Sequence, residues 1–129
     1  MASQFDLKST TVRELNRALQ LSNGSGATDF WRVLNPGGKH NLAVGLDAPL
    51  QVQIEGHVGY YCAGMNKYAA ITVDGNAGPG LAENMMSGVV HVRGNASQYA
   101  GATAHGGLLV IEGDASSRCG ISMKGVDIV

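Results

Sequence analysis

The chain has 129 residues, a length that suits one domain with a modest core. Its 9 basic and 10 acidic residues leave a formal net charge of −1, which provides neither a basic footprint for nucleic acid nor an acidic tail. With 44% hydrophobic residues, no membrane-length apolar run and no secretory signal at the N-terminus, we expect a folded cytoplasmic protein that binds no nucleic acid and no membrane.

Residues 1–51 predict a short helix and a cap for the segment that follows. Thr11 and Glu14 have the spacing of a capping box, and apolar residues at positions 12, 15, 18 and 19 predict one amphipathic helix. The Ser- and Gly-rich stretch 22–26 is expected to end it. Residues 30–34 and 41–44 are predicted as two short strands around an Asn-Pro-Gly-Gly turn.

Glycine is the compositional outlier, at 19 of 129 residues, roughly twice ordinary usage. Four of these glycines are spaced 19 residues apart: Gly56, Gly75, Gly94 and Gly113. Each follows a segment in which apolar and polar residues alternate, the pattern of a β-strand with one buried face, and a fifth copy begins at 128–129. We predict structural repeat glycines that permit a bend or a positive φ at a corner.

The constant phase of the repeat predicts parallel stacking, because a hairpin meander would reverse the strand direction at every turn. A period of 19 residues is too short for a strand and a crossover helix, which need about 30. The hexapeptide period of the left-handed β-helix acyltransferases is also missing. We therefore predict an all-β fold, a single-stranded parallel β-helix of 19-residue rungs over residues 52–129, with residues 1–51 as its N-terminal helix and capping strands.

A second set of small residues recurs further along each repeat. It predicts a tight corner where the backbones of neighbouring rungs approach closely. The set comprises Ala63, Ala82, Gly101 and Gly120.

No motif predicts a catalytic residue, a cofactor site or a metal site in this chain. The histidines lie at different phases of the repeat, so they do not stack into a metal site: His40, His57, His91 and His105. Cys62 and Cys119 share a phase but lie roughly 14 Å apart, too far for a disulfide and too few for an iron–sulfur cluster. The glycine-rich stretch 75–80 lacks the Lys-Ser/Thr of a P-loop, which favours a repeat corner over a phosphate site.

The repeat also places two sets of side chains whose role the pattern does not decide. Arg93 follows Asp74 and precedes Glu112 in one outer column, where we expect it to offset their repulsion. The pairs 60–61 (Tyr-Tyr) and 85–86 (Met-Met) are either an exposed contact surface or corner packing.

Residues 75–78, 94–107 and 113–125 resemble the GXGXG domain, which forms the C-terminal right-handed β-helix of the glutamate synthase large subunit. One of the subunits of formylmethanofuran dehydrogenase is similar. The stretches 31–36, 40–49 and 56–64 resemble the stand-alone GXGXG subunit of the N-methylglutamate synthase family, which extends the resemblance over nearly the whole chain.

That resemblance implies a non-catalytic structural or assembly subunit in a complex that makes N-methylglutamate from methylamine and glutamate. The implied partners are a glutamine amidotransferase-like subunit and a synthase subunit that carries FMN and an iron–sulfur cluster, so this chain would hold no cofactor itself. The alternative is the corresponding assembly component of a formylmethanofuran dehydrogenase or formyltransferase complex. Because GXGXG domains have more rungs than this chain, we also expect self-association or a bound subunit at its C-terminal end.

Overall fold

The computed structural model describes residues 2–22, 30–115, 119–120, 123, 125 and 127–129. Its elements are β1 Ala2–Asp6, α1 Val12–Leu21, β2 Phe30–Leu34, β3 Gln51–Glu55, β4 Ala70–Val73, β5 Val89–Val92, β6 Leu108–Ile111 and β7 Asp127–Ile128. These strands form one sheet whose spatial order is the chain order, and all neighbouring strands are parallel. The predicted parallel β-helix is therefore confirmed, because each turn of the chain adds one strand to the sheet.

The 19-residue rung is confirmed by the register of β3 to β7. Gln51 pairs with Ala70, and that column continues at the same position in each later strand. Within β3, Val52 and Ile54 are buried while the residues beside them are not. The alternation arises because one sheet face lines the interior, where each buried aliphatic side chain contributes about 1.5–3 kcal/mol relative to exposure.

The sheet also extends into the segment predicted as a cap. Strand β1 pairs with β2, and β2 pairs with β3, so that Phe5, Val33 and Ile54 occupy one inward column. The rings of Phe5 and Trp31 stack at 5.6 Å and continue the interior towards the first strand. The predicted strand at 30–34 is confirmed, whereas the division of the chain after residue 51 stays a prediction.

The strand predicted at 41–44 is wrong. Positive φ values occur at every second residue of this stretch: 61° at Asn41, 56° at Ala43 and 71° at Gly45. The backbone therefore cannot be an extended strand. This stretch is the first of a series of five-residue corners, which we call the αL corners. Their positive-φ residues are Asn41, Ala43 and Gly45; Tyr61, Ala63 and Met65; Gly80, Ala82 and Asn84; and Tyr99, Gly101 and Thr103.

The αL corners explain why small residues recur at the second phase. Tyr61 and Met65 donate their backbone N–H to the following turn, at 2.9 Å to Pro79 O and 2.7 Å to Glu83 O. Ala63, between them, donates to Leu42 O of the preceding turn at 2.9 Å. Neighbouring corners are therefore joined in both directions, and the middle position is buried against backbone.

A polar ladder runs beside the repeat glycines. His57 Nδ1 accepts a hydrogen bond from the Asn76 backbone N–H at 2.9 Å, and Asn76 Oδ1 accepts from Asn95 N–H at 2.8 Å. Asn95 Oδ1 accepts from Asp114 N–H at 2.8 Å. Each turn thus gives the next a side-chain acceptor for a backbone donor, a feature that the apolar pattern did not predict.

Helix α1 begins at the predicted capping box. Glu14 N–H donates to Thr11 Oγ1 at 3.1 Å, and the Glu14 carboxylate accepts from the Thr11 backbone N–H. Leu15 and Leu19 are buried on the inner face of the helix. The helix ends at Leu21, and residues 23–26 of the predicted stop signal lie outside the described residues. No helix in the described part of the chain is long and apolar enough to cross a bilayer.

The polar side chains of α1 complete the first αL corner. Asn16 Oδ1 accepts the Ala43 N–H at 2.7 Å, where later corners use the carbonyl of a preceding turn. Gln20 Nε2 donates to Val44 O at 2.7 Å. The helix therefore supplies side-chain partners to the Ala43 N–H and the Val44 carbonyl, as capping of a solenoid requires.

Replacing Asn16 by alanine should lower the free energy of unfolding by about 1–3 kcal/mol, because the buried Ala43 N–H loses its acceptor. Alanine is the better helix former, so helix propensity works against this loss. The check is urea denaturation, with Arg13→Ala at an exposed position of the same helix as control. Equal losses in the two variants would contradict the capping role.

Candidate functional site

The chain bends at all four repeat glycines, which confirms the first of the two predicted alternatives. Only Gly56 of the four has a positive φ, at 139°. A Cβ at Gly94 would lie 2.6 Å from Gly75 O, and one at Gly113 would lie 2.6 Å from Gly94 O. Close approach of successive turns, rather than positive φ, requires glycine at Gly75, Gly94 and Gly113.

The histidines have separate surroundings. His40 stacks on Tyr60 with ring centroids 4.1 Å apart, His57 starts the polar ladder, and His91 pairs with Glu112 at 2.5 Å. His105 is exposed. Over the residues that the structure describes, no three or more His, Cys, Asp or Glu side chains are grouped so as to hold a metal ion.

Both cysteines are free thiols, with Cys62 buried and Cys119 partly buried. Loss of hydration on burial raises the pKa of the Cys62 thiol to about 12 and also raises the pKa of Cys119. Because the thiolate is the reactive form, these environments do not activate either sulfur as a nucleophile.

The raised pKa of Cys62 predicts a pH dependence of stability. Between pH 9.0 and about 12 the unfolded thiol loses its proton while the folded thiol keeps it. Unfolding then releases a proton, so stability should fall by about 1.4 kcal/mol per pH unit inside this window and be unaffected by Cys62 below it. Denaturant titrations measure the free energy of unfolding at pH 8 and pH 10.5. Its decrease between these two pH values should be larger in the wild type than in Cys62→Ala. Parallel pH profiles would contradict it.

The outer charge column contains no close pair with Arg93 among the described residues. Arg32 forms an ion pair with Glu55 at 2.6 Å, and His91 Nε2 contacts the Glu112 carboxylate, just after β6, at 2.5 Å. That Arg93 offsets the repulsion of Asp74 and Glu112 stays a prediction.

Exposed tyrosines cluster on one part of the described surface. Tyr60 and Tyr61 are 51% and 50% exposed, and Tyr99 is 36% exposed. Met65, in the same αL corner as Tyr61, is 50% exposed. These side chains and Glu83 line two adjoining depressions, and we call them the tyrosine face. Of the two alternatives for the pair 60–61, the structure favours exposed surface over packing in the interior.

The two residues of the Met-Met pair differ in exposure. Met86 is 43% exposed, whereas Met85 is fully buried in the core. Tyr68, also at positive φ, is exposed but lines neither depression.

The larger depression is a cleft of about 380 Å³, lined by Tyr60, Tyr61, Pro79, Gly80, Glu83 and Tyr99. Tyr61, Gly80 and Tyr99 hold the same αL-corner position in three successive turns. A Cβ at Gly80 would lie 2.6 Å from the Tyr61 ring and 3.1 Å from Glu83 Oε2. The ring and the carboxylate therefore converge over the glycine, whose missing side chain leaves the cleft open.

Comparison with known proteins links part of the chain to a bacterial protein. Over 70 residues it is 60% identical to Protein GlxC of Rhizobium meliloti (strain 1021), a match that covers 54% of this chain and 30% of GlxC. No family model and no solved structure matches. The chain thus shares with GlxC a segment that is about half its own length, and this match fits, at the level of the family, the resemblance to a GXGXG-type, glutamate-synthase-like subunit.

Proposed function

We propose that the chain is a non-catalytic assembly subunit of a glutamate-synthase-like complex, and that the tyrosine face is where it docks. The observation that carries the proposal is the exposure of Tyr60, Tyr61, Met65 and Tyr99 on neighbouring corners. Tyrosine and methionine are enriched in protein interfaces, and contiguous exposed apolar surface marks interaction sites.

The backbone beneath this face is suited to docking because it is fixed in place. Tyr61 N–H is bonded to Pro79 O of the next turn, and Gly80 N–H to Gln98 O of the turn after. Because these hydrogen bonds already fix the backbone, the residues of the tyrosine face lose little conformational freedom when a partner binds. This lowers the entropic cost of association.

Within that class, we assign the chain to a complex that makes N-methylglutamate from methylamine and glutamate. Its partners would be a glutamine amidotransferase-like subunit and a synthase subunit that carries FMN and an iron–sulfur cluster. The similarity to GlxC supports the glutamate-synthase-like class, and the resemblance of residues 31–36, 40–49 and 56–64 to the stand-alone GXGXG subunit supports the finer assignment.

Purification of the tagged chain from its own cells tests the assignment. A copurifying protein with flavin and iron–sulfur absorbance, together with N-methylglutamate formation by the isolated complex, is the expected result. A partner that carries molybdenum or tungsten would point instead to the formylmethanofuran dehydrogenase alternative. A chain isolated without either kind of partner would contradict the proposal.

Alanine at His57, His91 or His105 should leave the turnover of the assembled complex within about twofold of wild type, because none of these side chains would contact the reacting groups. Turnover is measured on complex that size-exclusion chromatography shows to be intact. A loss of a hundredfold or more in intact complex would reveal a catalytic role.

A further inference from the structure

Two tyrosines that line the cleft occupy an unfavourable backbone conformation. Tyr61 and Tyr99 have φ values of 57° and 65°, a region that favours glycine and costs a bulky residue about 1–2 kcal/mol. Gly80 adopts the same conformation between them without that cost. The conformation itself belongs to the repeated αL corners, but both tyrosine rings are substantially exposed, so burial recovers only part of its cost.

The described lining of the cleft carries negative charge. Among the described residues that line it, Glu83 is the only ionisable one apart from the tyrosines. Within the described part of the chain, no Lys, Arg or His side chain lies within ion-pair distance of the Glu83 carboxylate. Among the described side chains, none therefore supplies a counterion at the negative end of the cleft.

We propose that this cleft is a binding site for an organic cation, an alkylammonium or guanidinium group, which contacts the tyrosine rings and directs its charge to Glu83. Aromatic faces attract such cations through the ring quadrupole, and the apolar carbons attached to the charge pack on the rings at the same time. The ligand is either a free small molecule or the side chain of a lysine or arginine in a docked protein. The site does not depend on which complex the chain joins.

The volume of the cleft agrees with this ligand class. At about 380 Å³ it lies within the range of small-molecule pockets, and it is large enough for a substituted ammonium group. A small inorganic cation would leave most of the ring surface without contact and would lose its hydration shell, so sodium or potassium should not compete at equal concentration.

Titration of the isolated chain, followed by NMR or by tyrosine fluorescence, tests the proposal with named probes. Choline and tetramethylammonium represent free cations, whereas N-acetyl-lysine amide and N-acetyl-arginine amide represent partner side chains. The neutral control is 3,3-dimethylbutan-1-ol, which has the shape of choline without its charge. At least one cation should bind about tenfold more tightly than the alcohol, and the tighter pair of probes identifies the source of the ligand.

Matched variants locate the site. Glu83→Gln and Tyr61→Leu should each weaken cation binding about three- to tenfold, while Tyr61→Phe retains the ring and should bind nearly as wild type. Tyr68→Leu is the control, because Tyr68 is also an exposed tyrosine at positive φ but lies outside the cleft. Thermal midpoints within a few degrees of wild type show that the variants are folded.

Equal affinity for choline and the neutral alcohol would overturn the proposal, as would cation binding that is unchanged in both Glu83→Gln and Tyr61→Leu. Loss of binding in Tyr68→Leu as large as in Tyr61→Leu would place the site elsewhere. None of these results bears on assembly, since the titration uses the chain alone. Failure of the cation site is therefore distinguishable from failure of the proposed function.

Discussion

Gly94→Ala is expected to lower the free energy of unfolding by about 2–4 kcal/mol, a large part of the 5–15 kcal/mol typical of a domain. The new Cβ would lie 2.6 Å from Gly75 O and closer still to the side-chain oxygen of Asn76. Neither atom can move freely: Gly75 O accepts the Gly94 N–H at 3.0 Å, and Asn76 Oδ1 accepts the Asn95 N–H at 2.8 Å. The substitution must therefore break the stacking of two turns.

Gly64→Ala is the matched control. Gly64 has no positive φ, and a Cβ there would meet its nearest neighbour, Tyr61 O, at 3.5 Å, an ordinary van der Waals contact. Because alanine also restricts the unfolded chain, this variant should be as stable as wild type or slightly more so. Denaturant unfolding of both variants makes the comparison, and a similar loss in the two would show that inter-turn contact at Gly94 is not the cause.

Met65→Asp is expected to weaken association with the partner subunits about thirtyfold or more, because it places a charge in the tyrosine face beside Glu83. Met65 has a φ of 56°, a conformation that aspartate tolerates better than methionine, so the fold should be retained. Surface-immobilised binding of the purified partners measures the affinity. Tyr60→Asp should act in the same direction.

A charge placed elsewhere on the solenoid provides the control. Gln51→Asp lies on the exposed outer face of β3, away from the two depressions of the tyrosine face. It should leave the affinity within about twofold of wild type. If Gln51→Asp weakened binding and Met65→Asp did not, docking would occur on the sheet rather than on the tyrosine face.

The sheet was the predictable part of this fold. Each rung from β3 to β6 places two aliphatic residues towards the interior, and burial imposes that spacing on the sequence. Strand β1 was missed because it carries Phe5 as its one large apolar residue and gains its place by pairing with β2. Pairing between strands that are distant in the sequence leaves no local pattern.

The αL corners were less predictable, since most of their positive-φ residues are not glycine. The run 42–44 (Leu-Ala-Val) has the composition of a strand, although Ala43 takes a φ of 56°. A usable signal was present in the phase, because Ala63 and Ala82 occupy the matching position in the next two corners.

The cleft could not be predicted from composition or period. Tyr61 and Tyr99 are 38 residues apart and line one cleft only because two turns of 19 residues bring them to the same corner position. The cleft is open because Gly80, between them, has no side chain. Its chemistry therefore depends on the exact number of residues in each turn, which single motifs do not reveal.

Reconstitution of N-methylglutamate synthesis is the direct test of whether this solenoid assembles an enzyme without taking part in its chemistry. Turnover is measured for the partner subunits alone, for this chain alone, and for mixtures that contain wild-type chain or Met65→Asp. The expected result is no turnover by the chain, and turnover that rises when wild-type chain joins the partners but not when Met65→Asp does. Turnover by the isolated chain, or full activity of the partners without it, would contradict the account.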